Sequence, residues 1–95
     1  MIKADIVLET DSVLAFRDIN PWAPTHVLII PKRHIPTMND LGPDDTKLMG
    51  DLSLAARKVA EREGVSKNFR TAINCGRDGG QEVFHLHMHL LGWPS

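Results

Sequence analysis

The sequence is poor in the features that mark specialised classes of protein. Cys75 is the only cysteine in 95 residues, so no intramolecular disulfide can form, and the composition suits the reducing cytoplasm. No apolar run approaches the roughly 20 residues that cross a bilayer; the longest are short stretches such as Val27 to Ile30, and no membrane partner is expected. Met1 to Asp5 carries Lys3 and Asp5 and shows no apolar core of a signal peptide. Charge of one sign is also lacking. Eleven Lys and Arg against twelve Asp and Glu leave a net charge of -1, which removes the electrostatic case for a generic nucleic-acid or anionic-membrane binder. Any anionic ligand must be held locally. Repeats, low-complexity segments and linkers are missing too, and what remains, 42% hydrophobic and 24% charged residues, is the composition of one globular domain over residues 1–95. Such a core needs neither a disulfide nor a metal.

What is present reads as an α+β fold. Ile6-Val7-Leu8 and Val13-Leu14-Ala15-Phe16 are β-favouring runs joined by the polar stretch Glu9-Thr10-Asp11-Ser12, the pattern of a hairpin. His26 to Ile30, set between Pro24 and Pro31, predicts a third strand, the alternating Phe69 to Asn74 a fourth, and Val83 to Leu91 a fifth and longest, ended by Gly92 and Pro94. Leu48, Leu52, Ala55, Ala56 and Val59 fall on one helical face, so Pro43 to about Glu63 predicts the only long helix. Pro43 suits the first helical position, Asp44 and Asp45 complement the positive end of the dipole, and Gly64 can take the left-handed C-terminal cap. The expectation is a five-stranded, mostly antiparallel sheet covered by one helix.

Chemistry concentrates near the end. His85, His87 and His89 alternate with Leu86, Met88 and Leu90, so in a strand three imidazoles share one face while their apolar neighbours enter the core. The bland alternatives are polar residues on a solvent face or a His-rich metal tract. For metal, His85 and His89 stand about 13 Å apart along a strand, too far for both to join one tetrahedral zinc with His87; no metal site is expected. Upstream, Asn74-Cys75-Gly76-Arg77-Asp78-Gly79-Gly80-Gln81 holds three glycines. It reads either as a plain hairpin loop or as a backbone cradle for phosphate that delivers its amides beside the imidazoles.

His85-Leu86-His87-Met88-His89-Leu90-Leu91, preceded by Gly79-Gly80-Gln81, resembles the histidine triad pattern, His-φ-His-φ-His-φ-φ with φ apolar. The likeness extends to Ala15-Phe16-Arg17-Asp18-Ile19-Asn20-Pro21 and to Ala23 through Ile35, and within the superfamily the chain is most similar to the Hint branch, the histidine triad nucleotide-binding proteins. The resemblance implies a nucleotide-binding hydrolase that cleaves purine nucleoside phosphoramidates or related nucleotidyl bonds, without a cofactor, through a nucleotidyl-histidine intermediate. His87 would be the nucleophile. His89 would bind the phosphate or leaving-group side, with His85 and His26 fixing ring orientation and tautomer. Asn74 and the amides of Gly80, Gln81, Glu82 and Val83 would hold phosphate oxygens, and Asp18 would accept from the ribose hydroxyls. Phe16, Ile19 and Leu28, with Ile2, correspond to positions facing the base. The expected partner is a purine nucleoside monophosphate or phosphoramidate, and a second copy of the chain in a homodimer.

Taken singly, these residues keep plainer readings. Asp18 suits a turn before Asn20-Pro21, His26 a strand-edge polar position, and Phe16, Ile19 and Leu28 a core. Trp22 and Trp93 lie in loop-like segments, and Trp22 reads as packing rather than base stacking. Glu82 stands where the eukaryotic Hint pattern carries Ser, as in bacterial members. Relative to the pattern, the sequence is shorter before strand one and after Gly92, at segments the resemblance assigns to the base pocket and to the partner's site in a dimer. The alternative to a hydrolase is a nucleotide-binding sensor or scaffold with little turnover, which needs the same pocket; an intact triad favours the enzyme. A metal-binding protein is the third reading.

Overall fold

A computed structural model describes residues 5–94; Ile2 lies outside them. The chain forms β1 (Ile6–Glu9), β2 (Val13–Arg17), β3 (Thr25–Pro31), α1 (Thr46–Arg62), β4 (Phe69–Ile73) and β5 (Met88–Gly92). The sheet order is β1-β2-β3-β5-β4, and every neighbouring pair is antiparallel. The polar stretch after β1 closes the expected hairpin. There the Thr10 N–H donates to the Val13 carbonyl at 2.9 Å, while Thr10 Oγ1 accepts from the amides of Ser12 and Val13.

The register sorts residues onto two faces. Ala15, Ile29 and Met88 are cross-strand partners in one row and Val27 and Leu90 in the next, and all five are buried. On α1 the buried stripe is Leu52, Ala55, Ala56, Val59 and Ala60, so this sheet face and that helix face close the core. Truncating a fully buried member such as Leu90 to Ala would cost about 2–5 kcal/mol. The opposite row, Phe16, Leu28, His89 and Ala72, faces away from the helix and forms the floor of the site.

Two expectations are corrected. The predicted helix beginning at Pro43 starts as a 3-10 turn, Pro43–Asp45, with α1 proper from Thr46. Asp45 Oδ2 accepts from the Gly42 N–H at 2.8 Å and the carboxylate pairs with Arg33; the Gly42 bond, then Arg33, holds this carboxyl below the usual range. The other end is as expected. Gly64 has φ +73, and the Gly64 and Val65 amides return to the Glu61 and Ala60 carbonyls, the double bond of a helix ended by glycine.

The second correction concerns the last strand, which is Met88–Gly92 rather than Val83 to Leu91, so that β3, with seven residues, is the longest. Ile29 pairs with Met88, and continuing the ladder would set Leu86 against Pro31, which has no amide to donate. The segment therefore leaves the sheet. Leu86 donates its N–H to the Ile35 carbonyl at 2.6 Å and still buries its side chain in the core. Of the triad only His89 lies in a strand.

Candidate active site

The buried end of the site is a pair of histidines on adjacent central strands. His26 on β3 and His89 on β5 are 3% and 5% exposed, with His26 Nε2 2.9 Å from His89 Nδ1. The Trp22 backbone N–H donates to His26 Nδ1 at 3.2 Å, so that nitrogen is unprotonated. The His26 proton is then on Nε2 and is donated to His89 Nδ1, which leaves the His89 proton on Nε2, on the side away from His26. Burial is the main cause that pushes both imidazoles below their ordinary value; for His89, the neighbouring His87 and His26 act in the same direction and Asp18 opposes.

His87 follows from the same logic. Its Nδ1–H donates to the His85 carbonyl at 2.8 Å, so the neutral ring carries its lone pair on Nε2. The ring stands edge-on to His89, with centroids 4.9 Å apart and 67° between planes. His85 is turned elsewhere: its Nε2–H donates to the Pro31 carbonyl at 2.9 Å, taking the place of the missing ladder bond, and its Nδ1 accepts from Nδ1–H of His34 at 3.1 Å. The three triad imidazoles thus do not form one flat row. His89 and His87 meet, and His85 supports His87 through its own backbone carbonyl.

Two clefts flank His87. One, about 320 Å3, is lined by Asp18, Trp22, Leu28, Asn74, Gly80, Glu82, Val83, His87 and His89. The other, about 280 Å3, is apolar and lined by Phe16, Leu28, Ile30, Val83, His85 and His87. The first gathers most residues singled out in the sequence. Asp18 uses Oδ1 to accept from the Asn20 N–H at 2.8 Å, the turn role, and holds Oδ2 3.7 Å from His26 Nε2 at the edge of the cleft. Ile19 is 75% exposed and lines neither cleft, because the chain is turning away after Asp18.

The glycine-rich loop divides its amides. Gly80 N–H donates to the Arg77 carbonyl and Gln81 N–H to the Gly76 carbonyl, so these two amides, expected to hold phosphate, brace the loop instead. The Gln81 side chain is buried and bonded to the Gly76 amide and to the Pro36 and Val83 carbonyls, which makes it a scaffold residue rather than a substrate contact. Glu82 and Val83 retain amides with no partner among the described residues. Gly80 has φ +97, and a Cβ there would meet the Asn74 amide nitrogen at 3.3 Å; glycine lets the loop close over Asn74.

Sequence reasoning missed two contacts. The Trp22 indole stacks on His89, with centroids 4.8 Å apart and 18° between planes, and tilts over His26 at 4.8 Å. His34 pairs with His85. The only sequence signal for the first was position: a bulky ring four residues before a strand histidine, in a turn bounded by Pro21 and Pro24.

Residues 1–94 match the HIT domain. The chain belongs to the HIT domain family. It is 51% identical over 92 residues to the purine nucleoside phosphoramidase of Escherichia coli (strain K12), covering 96% of this chain and 77% of that protein. The HIT family hydrolase from Legionella pneumophila Philadelphia 1 superposes with a TM-score of 0.94 at 49% identity, over 99% of this chain and 85% of the other. A HIT family hydrolase from Clostridium thermocellum also gives 0.94, at 46% identity, over 97% and 81%. The five-stranded antiparallel sheet with one long helix is therefore a HIT fold, as the triad pattern implied.

Proposed function

We propose that this HIT protein is a purine nucleoside phosphoramidase that works through a nucleotidyl-histidine intermediate. The observation that carries the reading is the His87 Nδ1–H bond to the His85 carbonyl, which leaves the lone pair on Nε2 of a ring that lines both clefts. The similarity to a phosphoramidase across nearly the whole chain supports the choice of substrate class. In this reading Asp18 binds the ribose, Phe16 and Leu28 contact the base, and Asn74, the Glu82 and Val83 amides and His89 Nε2–H hold the phosphate oxygens.

His87 Nε2 attacks the α-phosphorus, the P–N bond breaks, and the departing amine takes a proton from water in the open cleft. The His85 carbonyl then accepts from a nucleotidyl-imidazolium, a stronger donor than the neutral ring. Water attacks the same phosphorus, the bond to Nε2 breaks, the nucleoside monophosphate leaves, and the proton lost by water restores the one consumed. Two displacements replace one difficult step. The protein acts in the cytoplasm as a homodimer, with β4 at the sheet edge and its exposed Phe69 as the surface offered to a second copy.

The test is incubation with adenosine 5′-phosphoramidate, following ammonia and adenosine monophosphate, with mass spectrometry of acid- and base-quenched samples. Turnover with a nucleotidyl adduct on the His87 peptide is expected. Tight nucleotide binding without turnover would favour a sensor or scaffold.

A further inference from the structure

Trp22 is two-thirds exposed, at 65%, yet makes three contacts with the two most buried imidazoles of the site. Its N–H reaches His26 Nδ1, and its ring lies flat on His89 and tilted on His26. His26 and His89 are themselves 5.1 Å apart at 36°, so the indole packs over the pair on the cleft side. We propose that Trp22 is a positioning residue for the His26–His89 pair: its backbone fixes which nitrogens carry protons, and its indole shields both rings from water and holds His89 with Nε2–H toward the cleft.

The hydrogen-bond directions make the pair resist a third proton. His26 Nδ1 accepts from Trp22, and His89 Nδ1 accepts from His26, so neither ring keeps a free lone pair and protonation requires breaking one of these bonds. Burial under the indole adds the desolvation cost of a charged ring. The other titratable or charged groups around the pair are His87, edge-on to His89, Asp18 beside His26, Glu82 in the same cleft and Arg70 on the same sheet face of β4, opposite Leu91; α1 packs against the other face. A neutral His89 is a pure donor through Nε2, which suits a phosphoryl oxygen and leaves the nucleophilic task to His87.

This inference rests on the phosphoramidase reading for its kinetic consequence but not for its titration consequence. Any side chain except proline at position 22 keeps the backbone donor, so Trp22→Ala and Trp22→Phe isolate the ring. Nitrogen-15 NMR titration of the histidines in the free protein needs no substrate. In Trp22→Ala the midpoints of His26 and His89 should rise by about half a pH unit or more as water reaches them, whereas Trp22→Phe should keep them within a few tenths. With adenosine 5′-phosphoramidate, Trp22→Ala should lower kcat roughly tenfold and move the acid limb of the pH profile upward, with Trp22→Phe restoring both. Unchanged His26 and His89 midpoints in Trp22→Ala would overturn the proposal, as would equal losses in the two variants with no shift of the profile. Absence of turnover in the parent protein, with the midpoints shifting as expected, would overturn the phosphoramidase reading alone.

Discussion

The site contains two histidine pairs of the same chemistry in different surroundings. His26 and His89 touch inside the sheet, 2.9 Å apart, under Trp22; His34 and His85 touch 3.1 Å apart outside it, with His34 exposed. The first pair occupies neighbouring ladder strands that cannot shift without disturbing Val27 and Leu90 in the core. The second hangs on the segment that left the sheet at Pro31. A hydrogen bond in a dry, rigid setting fixes tautomer and orientation, while the same bond at the surface competes with water. His87 lies between them, edge-on to the rigid pair and tethered by its Nδ1–H to the backbone of the looser one. In the proposed reaction this difference gives orientation of the phosphate to the buried pair and support of the nucleophile to the backbone of His85 rather than to its ring.

The largest effect should come from the residue between the pairs. His87→Ala is expected to lower kcat by at least a thousandfold, because no neighbouring group can form the same adduct from its place, while nucleoside monophosphate binding stays measurable by calorimetry. Activity comparable to the parent would move the nucleophile elsewhere. Next comes Asp18, the proposed ribose contact beside the buried pair. Asp18→Ala should weaken binding of a purine nucleoside monophosphate by about 1.5–3 kcal/mol, the range for a hydrogen bond to a charged group. The loss should largely vanish with the 2′,3′-dideoxy nucleotide, a control for the turn bond that Asp18 also makes to Asn20.

The contrast between the pairs also explains what the sequence made legible. Period-two and helical patterns located all five strands and the helix, because alternation of Leu86, Met88 and Leu90 with the histidines reports which side faces the core whether or not the backbone is in a ladder. The same alternation misplaced the start of β5. Departure from the sheet depends on Pro31, 55 residues before Leu86 in the chain and meaningful only once the register is known. Within the site, Asp18, Asn74, Glu82, Val83, His87 and His89 converge as the triad resemblance implied. Ile19 does not, since an apolar residue next to a turn carries no signal of direction. The loop amides of Gly80 and Gln81 were misassigned for a related reason: a glycine-rich stretch announces close backbone approach, but whether its N–H groups face a ligand or its own carbonyls depends on dihedral angles that composition does not encode. Trp22 was undervalued because stacking on His89 joins residues 67 apart in sequence.

A smaller effect separates the pairs by pH. His26 and His89 have folded-state values pushed down, chiefly by burial, while in the unfolded chain they titrate near the ordinary value of about 6.5. As pH falls through that value the unfolded state takes up protons that the folded state refuses, so stability should decline from about pH 7 downward and continue to decline until the depressed folded values are reached. Denaturation midpoints measured between about pH 7.5 and about pH 5.5 should show this slope, and His26→Asn should reduce it. An identical slope in that variant would show that other groups carry the dependence.

The smallest effects are expected at the exposed pair and from chelators, and both follow from where the lone pairs go. His34→Ala removes a donor to His85 Nδ1 but leaves the His85 Nε2–H bond to Pro31 and the His85 carbonyl that receives His87 Nδ1–H, so kcat/KM should fall by no more than about threefold, the scale of one exposed hydrogen bond. Chelation should have no effect. Metal ligation by histidine needs an unprotonated ring nitrogen, and in the neutral rings the lone pairs of His26, His85 and His89 already accept from Trp22, His34 and His26 respectively. Of the five histidines only His34 and His87 keep a free Nε2 lone pair, and no group of three metal-ligating side chains occurs among the described residues. Turnover measured after exhaustive dialysis against a chelator should match the untreated enzyme. Loss of activity restored by zinc alone would mean that these hydrogen bonds give way to metal, and that the rigid and loose pairs differ in something other than the water around them.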